Sequence, residues 1–315
     1  MSGKALLALA VAASLLGAAE PQPVTVAEVA PTPPWAQACK DWDEWDKPGP
    51  PFKIYGNTYY VGTCGIASIL IVGDGGLAVI DSGTDAGADL VLANIRALGF
   101  DPKDVKLLLA SHEHFDHVGG MAKLEAATGG QIVFSEVGSH VLAYGEDVKN
   151  YGAYGSVDFP VDPQAGMHEP MRRVSSSMPY TGKLAAELLA RFAIKPLPTP
   201  GHTPGAMSWT WEACEDDGCL TVVYADSLSA ISSDSYRFLD HEEYLAAFLK
   251  SFDTIAQARC DILLTPHPSG GNLNLTMWVL QRRKLDGMPD FFCRGYAQKQ
   301  KEALTLRLAR EAESK

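Results

Sequence analysis

Short apolar runs separated by glycine-bearing turns begin at residue 52. Phe52–Tyr55, Thr58–Val61, Ala67–Val72 and Leu77–Ile80 read as strands, and Gly73-Asp74-Gly75-Gly76 reads as the turn between the last two. The period then changes. Leu90, Val91, Ala93, Ile95 and Leu98 recur at helical spacing, and the run stops at Gly99, which predicts a helix over 86–98. The largely apolar run Val105–Ala110 predicts a buried strand, followed by a helix to about Thr128 and a strand at Gln131–Phe134.

The second half repeats this order. Strands are predicted at Ile194–Leu197, Met207–Trp211, Leu220–Tyr224 and Asp261–Leu264, with a helix at Glu242–Ala258. The segment Tyr296–Ala312 is amphipathic, and the alternating Lys, Arg and Glu of 299–315 mark a solvated helix face. Two halves of strands followed by helices predict an α+β sandwich, with two mixed β-sheets packed face to face and helices on the outer faces. Two stretches lack such a pattern. Residues 20–51 are rich in Pro, Trp and Asp and read as an extended surface arm, in which Trp35, Trp42 and Trp45 are expected to serve aromatic packing of the arm, with lining of the cleft mouth as the alternative. Ala143–Arg191 shows little periodicity and reads as a long surface loop or lid.

Composition narrows the function. With 46% hydrophobic and 20% charged residues, the chain has the make-up of a globular protein, and a formal charge of −12 lacks the basic footprint of a partner for nucleic acid or anionic membrane. Lys4 followed by the uninterrupted small and apolar run Ala5–Ala19 reads as a signal peptide, too short to span a bilayer comfortably. The expected organisation is therefore a signal peptide at 1–19, an arm at 20–51 and a folded domain at 52–315, exported to the periplasm or beyond, with no membrane association once the signal is removed. Six cysteines suit export, where disulfides persist. Cys214 and Cys219 flank a turn that a local bridge would close; the remaining pairings stay open at this point.

The chemistry concentrates in Ser111-His112-Glu113-His114-Phe115-Asp116-His117, directly after a predicted strand. Imidazole nitrogen and carboxylate oxygen suit a borderline cation such as Zn²⁺. His112 and His114 alternate with Glu113, so both rings point one way in an extended segment and Glu113 points the other, which removes it as a ligand. Three further strand-end loops bear polar groups: Thr199-Pro200-Gly201-His202-Thr203-Pro204-Gly205, Tyr224-Ala225-Asp226-Ser227-Leu228-Ser229 and Thr265-Pro266-His267-Pro268. Strand ends are where α/β proteins place their sites. His140, His168 and His241 have no partner loops and read as structural. No Gly-x-Ser-x-Gly elbow or Ser-x-x-Lys set is present, so no serine nucleophile is expected.

Over residues from about 50 to 295, with 143–191 matching poorly, the chain resembles the metallo-β-lactamase superfamily on these motifs, and within it the class B β-lactamases of the third subclass. The resemblance implies that His112, His114 and His202 bind one zinc and that Asp116, His117 and His267 bind a second. It implies that Asp116 is catalytic, orienting a metal-bound hydroxide toward the lactam carbonyl. Ser227 stands where other subclasses use a cysteine ligand, and with Ser229 it would face the substrate carboxylate. Asp226 would orient rather than ligate. The implied disulfides are Cys260–Cys293, Cys39–Cys64 and Cys214–Cys219. The expected protein is thus a monomeric dizinc hydrolase of penicillins, cephalosporins and carbapenems that confers antibiotic resistance. Its rivals are an exported thioesterase or lactonase of the same fold and a non-catalytic zinc-binding protein; an open, six-ligand set counts against the last, because structural zinc sites are closed by four ligands.

Overall fold

The computed structural model describes residues 34–40, 44–144, 160–161, 171–216, 218–281 and 291–313. The expected signal peptide at 1–19, Trp42 and His168 lie outside the described residues.

Two mixed sheets form the core, as the alternation of the two halves predicts. The larger has seven strands in chain order: β1 (Phe52–Tyr55), β2 (Thr58–Tyr60), β3 (Ile69–Gly73), β4 (Gly76–Ile80), β5 (Val105–Leu109), β6 (Gln131–Phe134) and β7 (Ser177–Pro179). β1 to β4 pair antiparallel and β4 to β7 parallel. The smaller sheet runs β11 (Ile262–Leu264), β10 (Gly218–Tyr224), β9 (Met207–Glu215), β8 (Lys195–Pro198). β8 and β10 are both antiparallel to β9, and β11 is parallel to β10, so β8, β10 and β11 finish at the same edge. The loops carrying His202, Asp226 and His267 follow those three ends.

Side chains of both sheets share one apolar core that includes Ile69, Leu70, Leu107, Leu108, Trp209 and Trp211. Its two indoles satisfy their N–H groups across the sandwich: Trp209 donates to the Ala110 carbonyl at 2.9 Å and Trp211 to the Thr58 hydroxyl at 2.8 Å. Helices cover the outer faces. α2 (Asp85–Ala97) is capped by Thr84, whose hydroxyl accepts from the Gly87 amide, and it buries Val91, Leu92 and Ile95. α4 (Met121–Thr128) packs beside it, while α7 (Glu242–Gln257) and α9 (Phe291–Glu313) pack together at the smaller sheet. Among the described residues no helix is long and apolar enough to cross a membrane.

Two expectations are corrected. The described part of 143–191 is not a loop throughout. Ser177–Pro179 forms the edge strand β7, and α6 (Lys183–Arg191) buries Ala185, Leu188 and Leu189. The Glu125 carboxylate of α4 holds the approach to this strand, accepting from the Ser175 amide and hydroxyl and the Ser176 amide. The arm also does more than lie on the surface. α1 (Pro34–Ala38) places Trp35, only 3% exposed, against Phe52 and Tyr60. Disulfides join Cys39 to Cys64, Cys214 to Cys219 and Cys260 to Cys293, so the first ties the arm to the larger sheet and the last ties α9 to the end of the segment after α7.

Candidate metal centre

The histidine loop starts from an anchored point. Asp81 ends β4 with a left-handed backbone (φ 62°) and is fully buried. Its carboxylate accepts from the Ser111 amide at 2.6 Å, the Ser111 hydroxyl at 2.7 Å and the Tyr224 hydroxyl at 2.7 Å. One acid therefore joins β4, the end of β5 and β10. The short helix α3 (Phe115–Val118) then turns Asp116 and His117 inward, and the Ser82 amide and hydroxyl bond the His117 carbonyl at 2.8 and 2.9 Å.

Two clusters of donors result. The rings of His112, His114 and His202 meet edge to face, with centroids 4.5 to 4.9 Å apart and planes 81 to 88° apart. One donor atom from each lies within 4.8 Å of the other two. In the second cluster, Oδ2 of Asp116 is 3.1 Å from His117 Nε2 and 3.5 Å from His267 Nε2, and the two nitrogens are 3.4 Å apart. Tetrahedral zinc with bonds of about 2.0–2.1 Å has donors separated by about 3.3 Å, so this triangle fits such an ion. His112 also lies within 4.8 Å of Asp116 and His117, which makes the clusters contiguous.

The rear of each ring explains its aim. His112 Nδ1 meets Asp226 Oδ1 at 2.8 Å, His202 Nδ1 meets the Ser229 carbonyl at 2.9 Å, and His267 Nδ1 meets the Gly65 carbonyl at 3.3 Å. His117 Nδ1 faces Asp81 Oδ2 at 3.3 Å. A carbonyl can only accept, so Nδ1 of His202 and His267 carries the proton and Nε2 presents its lone pair. This is the outer bonding of metal-binding histidines. Nε2 of His112 is buried and makes no hydrogen bond.

Charge in the centre is equally organised. Burial alone would raise Asp116, but the His117 charge and hydrogen bond, with His267 and His114, hold its carboxyl well below the usual range. Burial opposes a charge on His117, yet Asp116 and Asp81 push it up to about 10. Burial dominates elsewhere, holding His112 and His202 well below the ordinary imidazole value and His267 down to about 4, while pushing Asp226 well up. The centre thus combines His112, His202 and His267, held neutral by burial, with a charged His117 paired to an ionised Asp116.

The pattern of the metallo-β-lactamase superfamily matches residues 61–216. The fold is also similar to the solved MIM-2 metallo-β-lactamase, at 44% identity over 88% of this chain and 97% of that one, with a TM-score of 0.70. This chain belongs to the metallo-β-lactamase superfamily. Further similar structures are MIM-1 from Novosphingobium pentaromativorans (42% identity, 90% and 99% coverage, TM-score 0.73) and MEM-A1, a subclass B3 enzyme from a soil metagenome library (36%, 86% and 100%, TM-score 0.71).

As a superfamily member, the chain brings six sequence-read donors together from three loops, and the remaining candidates sort around them. Asp226 turns its carboxylate to the back of His112. Ser227 is buried beside it, its carbonyl bonded by the Tyr296 hydroxyl at 2.5 Å. The Ser229 hydroxyl lies 2.9 Å from His202 Nδ1; accepting there leaves its own O–H free to donate. Glu113 is fully buried and faces the His202 loop, where burial pushes its carboxyl up to about 7 against hydrogen bonds from Thr203 and Gly205. His241 stacks on Tyr236 and His140 on Tyr144, away from the centre. Trp45 differs from its expected role in arm packing: it is 43% exposed and packs on Phe115 and near His267 at the rim of the site. The sequence reading missed Asp81. Its signal was available, since Asp81 follows an apolar strand just as Asp226 does.

Proposed function

We propose that the protein is an exported dizinc enzyme that hydrolyses the amide bond of β-lactams and so confers resistance to penicillins, cephalosporins and carbapenems. The observation that carries this reading is the Asp116–His117–His267 triangle, with edges of 3.1, 3.4 and 3.5 Å, contiguous with the three-histidine cluster. His112, His114 and His202 would hold one zinc, and Asp116, His117 and His267 the other. Bound zinc would supply a deprotonated water at neutral pH and polarise the carbonyl, because it lowers the pKa of water to about 7.

The chain's own groups do the rest. Asp116, held ionised, accepts a hydrogen bond from the attacking water and sets its direction. The hydroxyls of Ser227 and Ser229 donate to the carboxylate that β-lactams carry, fixing the ring relative to that water. Trp45 and Phe115 form an apolar wall beside His267. The three disulfides suit an oxidising compartment, which supports reading 1–19 as a signal peptide ahead of an arm and one catalytic domain.

The test is hydrolysis of a carbapenem and a cephalosporin by zinc-loaded protein, run beside a thioester and a lactone. Turnover of the β-lactams that EDTA abolishes is the expected result. No β-lactam turnover with zinc fully loaded overturns the reading, and turnover of the thioester or lactone alone moves the substrate to that class.

A further inference from the structure

Glu113 has no place in the chemistry above, although it lies between two proposed ligands and is wholly buried. A buried carboxylate is costly unless hydrogen bonds compensate it. Both of its oxygens are used. Oε2 accepts from the Thr203 hydroxyl at 2.6 Å and Oε1 from the Gly205 amide at 2.8 Å. These donors lie immediately after His202, in a loop some ninety positions along the chain (Thr203 is 90 residues from Glu113). Gly205 is packed so closely that a Cβ there would sit 2.8 Å from Glu113 Oε2. The other side of that loop is held by α7, where Tyr244 donates to the Gly201 carbonyl at 2.9 Å and Ser251 to the Pro200 carbonyl at 2.7 Å. Two carbonyls of the loop are thus held by α7, and Glu113 supplies the acceptors for two of its donors.

We infer that Glu113 is a positioning residue that fastens the His202 loop to the His112–His114 segment, so that the three rings of the first zinc site are held in one arrangement before an ion binds. The device needs two hydrogen-bonding atoms at fixed separation, which a carboxylate or an amide provides and an alkyl side chain does not. Glutamine can replace it: its oxygen accepts from Gly205, and its amide donates to the Thr203 hydroxyl, which turns to accept.

The inference rests on the proposed ligand role of His202, and the experiment separates the two. Zinc(II) is titrated against a chromophoric chelator into the parent, Glu113→Leu, Glu113→Gln, Thr203→Val and His202→Ala proteins. Amide hydrogen exchange at Gly205 is measured in the metal-free proteins. Outer partners of metal ligands are worth about 10- to 100-fold in affinity, so Glu113→Leu is expected to weaken one of two zinc sites by that factor, with Glu113→Gln within about threefold of the parent. Gly205 exchange should speed up in Glu113→Leu and stay unchanged in Glu113→Gln. Thr203→Val, which removes one of the two bonds, should weaken the same site less and guards against failure of the leucine variant to fold. Parent-like zinc affinity in Glu113→Leu or Thr203→Val overturns the inference, as does a glutamine variant as weak as the leucine one. Two zincs in His202→Ala strike the ligand assignment instead, while the Gly205 exchange still reports on the link.

Discussion

Nδ1 of His112 lies 2.8 Å from Oδ1 of Asp226, and neither side chain has any solvent exposure. The bond fixes the imidazole from behind and leaves Nε2 as the nitrogen that faces His114 and His202. Oδ1 of Asp226 is thereby committed to the back of His112. Asp226→Ala is expected to lower first-zinc affinity and turnover by about 10- to 100-fold, the usual worth of such a partner. Asp226→Asn, whose carbonyl still accepts from Nδ1, should lose less. Chelator-competition titration checks both; alanine and parent proteins of equal affinity would contradict the assignment.

Tyr224 reaches the centre from the other sheet. Its hydroxyl bonds Asp81 at 2.7 Å, and Asp81 in turn holds Ser111 and faces His117. Tyr224→Phe removes one of the donors to a fully buried carboxylate, and the expected cost is about 1–3 kcal/mol of stability. Urea unfolding of the metal-free protein measures it without interference from zinc. A change below a few tenths of a kcal/mol would show that Asp81 is satisfied without Tyr224.

Much of this architecture is written locally. Ile132-Val133-Phe134 is a continuous apolar run shortly after the glycine pair Gly129-Gly130, and the structure has a strand over Gln131–Phe134. His202 and His267 stand in Pro/Gly turns after strands, so their chemistry is legible without knowing the fold. Other parts depend on distant partners. Ser177–Pro179 is a strand because β6 offers it an edge; its Ser-Met-Pro sequence has neither alternation nor β-branching. Trp35 reads as a surface residue of a proline-rich arm until Phe52 and Tyr60 enclose it. Asp81 stands at a legible place, after an apolar strand, but its partners Ser111 and Tyr224 are 30 and 143 residues away and no local pattern names them. The amphipathic reading of the last helix holds at Tyr296 and Leu304, which are buried against the smaller sheet's cluster, whereas Leu306 is exposed.

Ser227 and Ser229 should separate on kinetics. Both are proposed to donate to the substrate carboxylate, but only Ser229 also backs His202. Ser227→Ala is expected to raise KM for a β-lactam about tenfold, since a hydrogen bond to a charged group is worth about 1.5–3 kcal/mol and 1.4 kcal/mol is a factor of ten. Its kcat and zinc content should not change. Ser229→Ala should raise KM and also weaken the first zinc. Steady-state kinetics with metal analysis distinguishes them, and an unchanged KM in both variants would remove the serines from substrate binding.

Glu311 on α9 gives the fold an acid-sensitive clasp remote from the metal centre. It accepts from Arg307 Nε at 2.7 Å and from the Leu239 amide at 3.1 Å, while Arg307 also donates to the Ser232 hydroxyl and the Tyr236 carbonyl. The stretch after Ser229 is thereby tied to the last helix. Burial alone would raise the Glu311 carboxyl, but the hydrogen bonds and the Arg307 charge hold it below its ordinary value. A folded-state value below the unfolded one means that the ionised form stabilises the fold. That contribution is complete above the unfolded value of about 4.3 and disappears as pH falls through the lower folded value. Because Arg307 is partly exposed, the pair is worth only about 1 kcal/mol. Glu311→Gln should therefore unfold at lower urea than the parent at pH 7, and the two midpoints should converge as the pH drops below about 4. An offset of the same size at both pH values would mean that Glu311 acts through its shape and not through its charge.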